Sequence, residues 1–100
     1  MRPLAYISSP YSGDVETNVE NAREYSRFAV EQGFLPVTPH IFFTQFMDDC
    51  NPADRELAMQ MNLQLLRSCD ELWVFGNYLS PGMETEITEA FRHHIPIRYF

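Results

Sequence analysis

The sequence contains no lysine, because all seven of its basic residues are arginines, set against 14 acidic residues. A Schiff-base mechanism and a Walker phosphate loop both need lysine, so both are excluded. The net charge of −7 also disfavours nonspecific binding to DNA or RNA. An acidic protein can still bind a small phosphorylated ligand, since helix N-termini bind anions through backbone N–H groups. We therefore expect a small-molecule ligand and no nucleic acid polymer.

Cysteines and long apolar runs are also scarce. Cys50 and Cys69 form no CxxC pair and no metal-ligand spacing, which favours two reduced thiols. No apolar run approaches the roughly 20 residues that span a bilayer, and the start, MRPLAYISS, lacks the apolar segment of a signal peptide. With 45% hydrophobic residues, the sequence predicts one globular domain over residues 1–100. We expect it to be cytoplasmic, with no membrane contact, no metal and no cofactor.

Apolar runs rich in β-forming residues alternate with helical patterns along the chain. Strands are predicted at 4–7, 34–37, 70–75 and 95–100, and helices at about 17–32, 52–67 and 81–94. Thr17 and Glu20 have the spacing of a capping box, while Asn51 and Ser80 each precede a proline as N-caps. Residues 38–51 are strongly apolar without clean alternation, which leaves a short helix or a lid open.

This alternation predicts a three-layer α/β fold. A flavodoxin-like or Rossmann-like parallel sheet of about four strands, in the order 2-1-3-4, would carry helices on both faces. Pro36 suggests that the second strand lies at an edge. Ligands bind such sheets at the carboxyl ends of the strands, beside the switch in strand order. Here that switch lies between the first and third strands, where the loops 8–13 and 76–82 would meet.

Three glutamates, Glu84, Glu86 and Glu89, lie near the start of the last predicted helix. The helix macrodipole favours carboxylates there, so a solvated face is the simplest interpretation. Glu86 differs from the other two, because its spacing from Ile87 and Ala90 turns it toward the sheet while Glu89 points to water. A carboxylate held at this edge could act as a nucleophile or a general base.

Other polar and aromatic residues each have two interpretations. Tyr6, inside the first strand, is either a core aromatic or a group that holds a carboxylate. Asn62 lies on the apolar stripe of the second predicted helix, so its amide must be hydrogen-bonded either to the protein itself, which is the simpler interpretation, or to a ligand. The histidines at positions 40, 93 and 94 are too scattered for a metal site.

The segments AYISSPYSG, CDELWVFG and SPGMETEITEA together resemble the nucleoside 2-deoxyribosyltransferase superfamily, and within it the small DUF4406 type. The resemblance covers nearly the whole chain in order. In that superfamily a glutamate in a Gly-Met-x-x-Glu-(Ile/Leu)-x-x-Ala pattern attacks the anomeric carbon, and a tyrosine of the first strand orients it. The matching residues are Glu86 and Tyr6, which the resemblance implies to be catalytic.

The candidate ligand-binding residues come from the two loops, the start of the last helix and the second helix. By resemblance, Ser8, Ser9 and Pro10 correspond to the loop after the family's first strand. With a phosphate present, Ser80, Gly82 and Met83 at the helix N-terminus, together with Ser8 and Ser9, could bind it. The full set is Ser8, Ser9, Pro10, Tyr11, Asn62, Gly76, Asn77, Ser80, Gly82 and Met83.

Two positions depart from the pattern of the superfamily. Its transferases commonly carry an aspartate where Asn62 stands, which helps to protonate the departing base, and a second acid where Ser80 stands. Asparagine hydrogen-bonds a base but cannot give it a titratable proton. The superfamily's site is also completed by a neighbouring subunit's C-terminal segment, which implies a homo-oligomer, a dimer or a tetramer.

Three classes of function stay open. The first hypothesis is an enzyme that cleaves or transfers the N-glycosidic bond of a nucleoside or nucleotide, with Glu86 as nucleophile and Tyr6 as its orienter. The second is a non-catalytic module that binds or sequesters a nucleotide or an ADP-ribose-type signal. The third is a structural or interaction protein whose Phe42, Phe43 and Phe46 form a subunit interface.

Overall fold

The computed structural model describes residues 1–100 and contains a four-stranded parallel sheet. The strands are β1 (Leu4–Ser8), β2 (Leu35–Val37), β3 (Glu71–Val74) and β4 (Ile97–Tyr99). Their order is β2-β1-β3-β4, which confirms the predicted order and the edge position of the strand that contains Pro36. The central pair places Tyr6 beside Leu72 and Ser8 beside Val74.

Four helices connect the strands: α1 (Val15–Glu31), α2 (Pro39–Phe42), α3 (Pro52–Arg67) and α4 (Pro81–Arg92). Helix α2 continues into one turn of 3-10 helix, Phe43–Gln45. Residues 38–51 therefore contain a short helix, which is one of the two structures that their apolar pattern left open.

The helix starts follow the predicted caps in two of three cases. Asn51 accepts hydrogen bonds from the backbone N–H groups of Ala53 and Asp54, and Ser80 accepts one from that of Met83. The capping box at Thr17 is wrong, because the Asp14 carboxylate accepts from the backbone N–H of Thr17 and starts α1 at Val15. Aspartate is as good an N-cap as threonine, and it comes earlier in the chain.

Alternate residues of β1 and β3 point to opposite faces of the sheet, and each face is covered by helices. On one face α1 packs, through Ala29 and Phe28, on a fully apolar cluster that includes Trp73. On the other face α3 and α4 contribute Leu66, Met83 and Ala90 to a cluster around Tyr6. Because α4 packs there, its inward side chains lie close to the carboxyl end of β1.

Glu89 of α4 was predicted to point to water, and this is wrong. Its side chain is only 6% exposed, and Arg67 of α3 donates to it from Nε over 2.5 Å. That hydrogen bond is the main cause that lowers the pKa of the Glu89 carboxyl. The guanidinium neutralises a carboxylate that would otherwise be costly to bury, and it joins the two helices on this face of the sheet.

The two cysteines are free, with Cys50 exposed and Cys69 buried. Burial is the main cause that raises the pKa of the Cys69 thiol to about 11, so this sulfur is a poor nucleophile. None of the helices combines the length and the apolar character that a membrane crossing requires.

Candidate active site

Glu86 is the buried carboxylate at the carboxyl end of β1. It lies in the second turn of α4, and its side chain faces the sheet, as its spacing predicted. Tyr6 donates its phenolic O–H to Oε2 of Glu86. Ser8 donates its hydroxyl to the other oxygen, Oε1, over 2.7 Å. Two donors on one strand therefore fix both oxygens of a carboxylate that comes from a helix.

Burial and hydrogen bonding act on Glu86 in opposite directions. Burial is the larger effect and raises the pKa of the carboxyl above its ordinary value, while the hydrogen bonds from Tyr6 and Ser8 lower it. Burial, followed by the charge of Glu86, raises the pKa of Tyr6 well above 10.0, so its phenol stays a donor. The net effect is a carboxyl group whose orientation is fixed by two hydrogen bonds and whose basicity is increased by burial.

A cavity of about 750 Å³ opens beside Glu86. Its walls come from the segments that follow β1, β2 and β3, from residues 55–62 of α3 and from the first two turns of α4. This is the edge where the carboxyl ends of the strands meet, which is the predicted place for a ligand. The volume is within the range of pockets that hold small organic ligands.

Most of the predicted site residues meet at this cavity, but five do not reach its wall. Seven predicted residues line it: Ser9, Tyr11, Asn62, Ser80, Gly82, Met83 and Glu86. Tyr6 and Ser8 lie behind Glu86, where both are fully or almost fully buried. Ser8 is the last residue of β1 and not a loop residue, and its hydroxyl contacts Glu86.

Pro10, Gly76 and Asn77 are the other three that do not line the cavity. Gly76 adopts a φ of +114°, and a Cβ atom at this position would lie only 3.0 Å from Cδ of Pro10. The two loops do meet, as predicted. However, Pro10 and Gly76 pack against each other, and neither residue lines the cavity.

Ser80 caps α4 with its own side chain, because Oγ accepts from the backbone N–H of Met83 over 3.3 Å. This bond uses one of the backbone donors that were predicted to bind a phosphate. The first turn has few other donors, because Pro81 has no N–H and the N–H of Glu84 donates to the carbonyl of Ser80 over 3.0 Å. Gly82 allows the Met59 side chain to approach closely.

Comparison with known families gives a match over residues 3–100 to the family described as Domain of unknown function (DUF7768). The chain belongs to this family. The DUF4406 assignment suggested by the three short segments is therefore corrected, since a match along almost the whole chain discriminates better than motifs that are individually weak. No curated protein matches the sequence.

Among solved structures, this DUF7768 member is similar to a 2-deoxyribosyltransferase from the psychrotolerant bacterium Bacillus psychrosaccharolyticus, described as a biocatalyst for the synthesis of antiviral and antitumoral nucleosides. The TM-score is 0.78 at 14% sequence identity, and the similarity covers 97% of this chain and 71% of the other. At this identity the comparison shows a shared fold, which confirms the predicted α/β architecture.

His40 is the main residue of this DUF7768 site that the sequence did not reveal. It lies in α2, lines the cavity, and its Nε2 is 3.0 Å from Oγ of Ser9. Burial lowers the pKa of His40 to about 4, so the imidazole is neutral at neutral pH. Residue 40 lies within the segment 38–51, which has no clear periodicity, and no sequence signal places it beside a serine 31 positions away.

Asn62 differs from the simplest prediction for it. Its Oδ1 is completely buried and has no hydrogen-bond partner within the protein, although the residue lines the cavity. The prediction that the protein itself satisfies this amide is therefore wrong for its oxygen. A buried acceptor without a partner is costly, and a donor on a ligand would satisfy it.

Proposed function

We propose that this protein cleaves or transfers the N-glycosidic bond of a nucleoside or nucleotide, with Glu86 as the nucleophile. The observation that carries the proposal is the Glu86 carboxylate, which is 7% exposed, fixed at both oxygens and adjacent to a cavity of about 750 Å³. A purely structural carboxylate would more simply be paired with a cation, as Glu89 is with Arg67.

The chemistry follows from what a carboxylate does near an anomeric carbon. Cleavage of an N-glycosidic bond passes through an oxocarbenium-like state, which a nearby carboxylate stabilises electrostatically or captures as a glycosyl ester. In the first step a Glu86 oxygen bonds to the anomeric carbon, and the electron pair of the C–N bond leaves with the base. In the second step water or another base attacks the same carbon and releases Glu86.

Tyr6 and Ser8 act as positioning residues in this scheme. Their hydroxyls hold the carboxylate so that no rotation is needed when the substrate arrives. Neither residue lines the cavity, so neither is expected to touch the substrate. The similarity in fold to a 2-deoxyribosyltransferase adds support, and it is consistent with the same class of bond being the target.

The test is the release of free base from a panel of nucleosides and nucleotides by wild-type protein and two variants. Glu86→Gln keeps the size of the side chain and should reduce base release at least about a hundredfold, because an amide is not a nucleophile. Glu84→Gln is the matched control, since Glu84 is exposed on the same helix and does not line the cavity. It should behave as wild type.

Equal turnover by Glu86→Gln and wild type would contradict the role of Glu86. Absence of base release from every member of the panel would contradict the enzymatic proposal as a whole. Circular dichroism and thermal melting of both variants establish that each is folded before rates are compared.

A non-catalytic module that binds a nucleotide or an ADP-ribose-type signal is the second candidate. The observation that favours it is Asn62, whose buried oxygen can accept a hydrogen bond from a ligand but whose amide gives no titratable proton to a departing base. If this candidate is correct, a nucleotide should raise the melting temperature of the protein and should be recovered chemically unchanged. A ligand at a hundred times its Kd adds about 2.7 kcal/mol to the stability of the protein.

We also propose that the protein is a cytoplasmic homo-oligomer. Phe42 and Phe46 are 59% and 64% exposed and pack edge to face with each other, close to the cavity-lining Phe43. Exposed aromatic clusters of this kind are typical of interaction surfaces. Light scattering should give a mass of at least twice 11.7 kDa, and a monomer at micromolar concentration would contradict the proposal.

A further inference from the structure

The charged side chains around the cavity have an excess of negative charge. Asp49, Glu56 and Glu86 bring three carboxylates, and Arg55 is the only arginine in the wall. The Nε atom of Arg55 lies 4.0 Å from Oδ1 of Asp49, so the positive charge of Arg55 is partly balanced by this carboxylate. The N-terminus of α4 adds about half a positive charge, which does not offset this excess.

Aromatic rings and a free acceptor accompany these carboxylates. Tyr11, Phe43 and Tyr78 line the same cavity. Aromatic faces attract cations, and they stack on flat heterocycles. The buried Oδ1 of Asn62 adds an acceptor that no group of the protein satisfies. Carboxylates and ring faces favour a ligand that is planar and positively charged, and the unpaired acceptor favours one that also carries a hydrogen-bond donor.

Apart from Glu86, which acts as the nucleophile, the cavity has no buried group suited to protonate a departing base. The imidazole of His40 is neutral at neutral pH, because burial lowers its pKa to about 4. Asn62 cannot donate a titratable proton. A neutral nucleoside needs such a donor, since its base would otherwise leave as an anion. A positively charged base needs none.

We propose, on the basis of the proposed function, that the preferred substrates are N-glycosides whose leaving group already carries a positive charge, such as pyridinium ribosides. The negative wall and the aromatic rings would bind the cationic heterocycle, while Glu86 attacks the anomeric carbon on the opposite face of the sugar.

The two steps balance without any added reagent. A Glu86 oxygen forms a bond to the anomeric carbon as the C–N bond breaks, and the electron pair of that bond neutralises the pyridinium nitrogen. Neutral pyridine leaves, and no proton moves. Water then attacks the anomeric carbon, the ester bond to Glu86 breaks with its electrons returning to the carboxylate, and the proton of the water passes to solvent.

The experiment compares nicotinamide riboside, a pyridinium, with its uncharged 1,4-dihydropyridine counterpart and with uridine and inosine. Pyridinium glycosides are intrinsically more labile, so each kcat/KM is divided by the rate constant of the same compound without enzyme. We expect this ratio to be at least about tenfold higher for the pyridinium riboside, because unit charges within a few ångströms of carboxylates near a protein surface interact strongly.

A matched pair of variants separates the charge of the wall from the charge of the whole protein. The double variant Asp49→Asn/Glu56→Gln should raise KM for the pyridinium riboside about tenfold and leave unchanged the inhibition constant of the dihydropyridine, measured as its competitor. The control, Glu20→Gln/Glu24→Gln, removes the same number of charges from exposed positions of α1 that do not line the cavity. It should leave both values unchanged.

The outcomes distinguish this inference from the proposed function. The ratio of kcat/KM to the rate constant without enzyme could be equal or higher for uridine, inosine or the dihydropyridine than for the pyridinium riboside. This result would overturn the preference for a cationic leaving group and leave the N-glycosidic activity in place. An unchanged KM for the pyridinium riboside in Asp49→Asn/Glu56→Gln would overturn the role of the wall. Cleavage of no compound in the set would overturn both.

Discussion

The Ser8 hydroxyl lies 2.7 Å from Oε1 of Glu86, although the two residues are 78 positions apart in the chain. Ser8 is the last residue of β1, and Glu86 lies in α4 on one face of the sheet. Together with Tyr6, two residues earlier on the same strand, Ser8 makes β1 the support of the carboxylate. The pKa and the orientation of Glu86 therefore depend on a strand that does not touch the ligand space.

Replacing Ser8 with alanine should shift the pH dependence of activity. Glu86 must be ionised to attack, so kcat/KM should rise with pH through its raised pKa, which lies above 4.5. Loss of the Ser8 hydrogen bond removes a stabilisation of the ionised form worth about 1.5–3 kcal/mol, which corresponds to about one to two pH units. The acidic limb of the profile should move to higher pH by that amount.

The control for Ser8→Ala is Thr88→Ala, because Thr88 is exposed on α4 and bonds only to the carbonyl of Glu84. Its profile should coincide with that of wild type. An acidic limb that stays in place in Ser8→Ala, with a lower kcat at every pH, would show that Ser8 does not set the ionisation of Glu86.

The variant Glu86→Gln should gain stability relative to wild type as the pH rises. The folded pKa of Glu86 is raised above 4.5, so its contribution to stability is complete below 4.5 and is lost as the pH rises through the folded pKa. Glutamine does not titrate. The difference in free energy of unfolding between variant and wild type can be measured with urea at several pH values. It should grow between pH 4.5 and the raised folded pKa of Glu86, and then level off. A difference that moves in favour of wild type with rising pH would contradict the account.

The variant Gly76→Ala should lose more stability than Gly13→Ala. Both glycines have positive φ, but a Cβ atom at Gly76 would lie 3.0 Å from Cδ of Pro10, whereas one at Gly13 meets nothing within 4 Å. We expect a loss of about 1 kcal/mol for Gly13→Ala, from the backbone conformation alone. For Gly76→Ala we expect about 2–4 kcal/mol, because crowding in a packed region adds to that cost. Equal losses by chemical denaturation would show that the two loops do not pack as described.

The sequence predicted the sheet because each strand combines an apolar run with a clear end. The run Leu72–Phe75 stops at Gly76, and Gly33 ends α1 before β2. Parallel strands of this kind have few possible orders, so the observed order could be chosen correctly. The short helix at Pro39–Phe42 could not be distinguished from a lid, because its aromatic residues follow no regular period.

The candidate site was predictable only in part, for a physical reason. Glu86 could be separated from Glu84 by its position relative to the apolar face of α4. The ion pair of Glu89 with Arg67 and the contact of His40 with Ser9 depend on how elements pack in three dimensions, which local spacing does not encode. The unpaired oxygen of Asn62 could not be predicted either, since its sequence neighbours indicate only a buried position.

His40 should titrate near pH 4 by NMR, well below the ordinary histidine value of 6.5. Burial is the cause, so the same low midpoint should persist in Ser9→Ala, where the hydroxyl contact is removed. Because the folded pKa is depressed, the stability that neutral His40 contributes is present above pH 6.5 and is lost as the pH falls through the folded pKa. His40→Gln identifies its resonance. A midpoint between pH 6 and 7 would show that the imidazole is solvated.

The most direct test of the central claim is to trap the bond between Glu86 and a sugar. A 2-deoxy-2-fluoro N-glycoside slows the second step of such reactions, because fluorine destabilises the oxocarbenium-like state. Mass spectrometry after incubation should find one added glycosyl group on the peptide that contains Glu86, and none in Glu86→Gln. Two results together would contradict the proposed role of Glu86. The wild-type protein would carry no adduct after incubation with the fluorinated compound, and wild type and Glu86→Gln would release base from an unfluorinated substrate at equal rates.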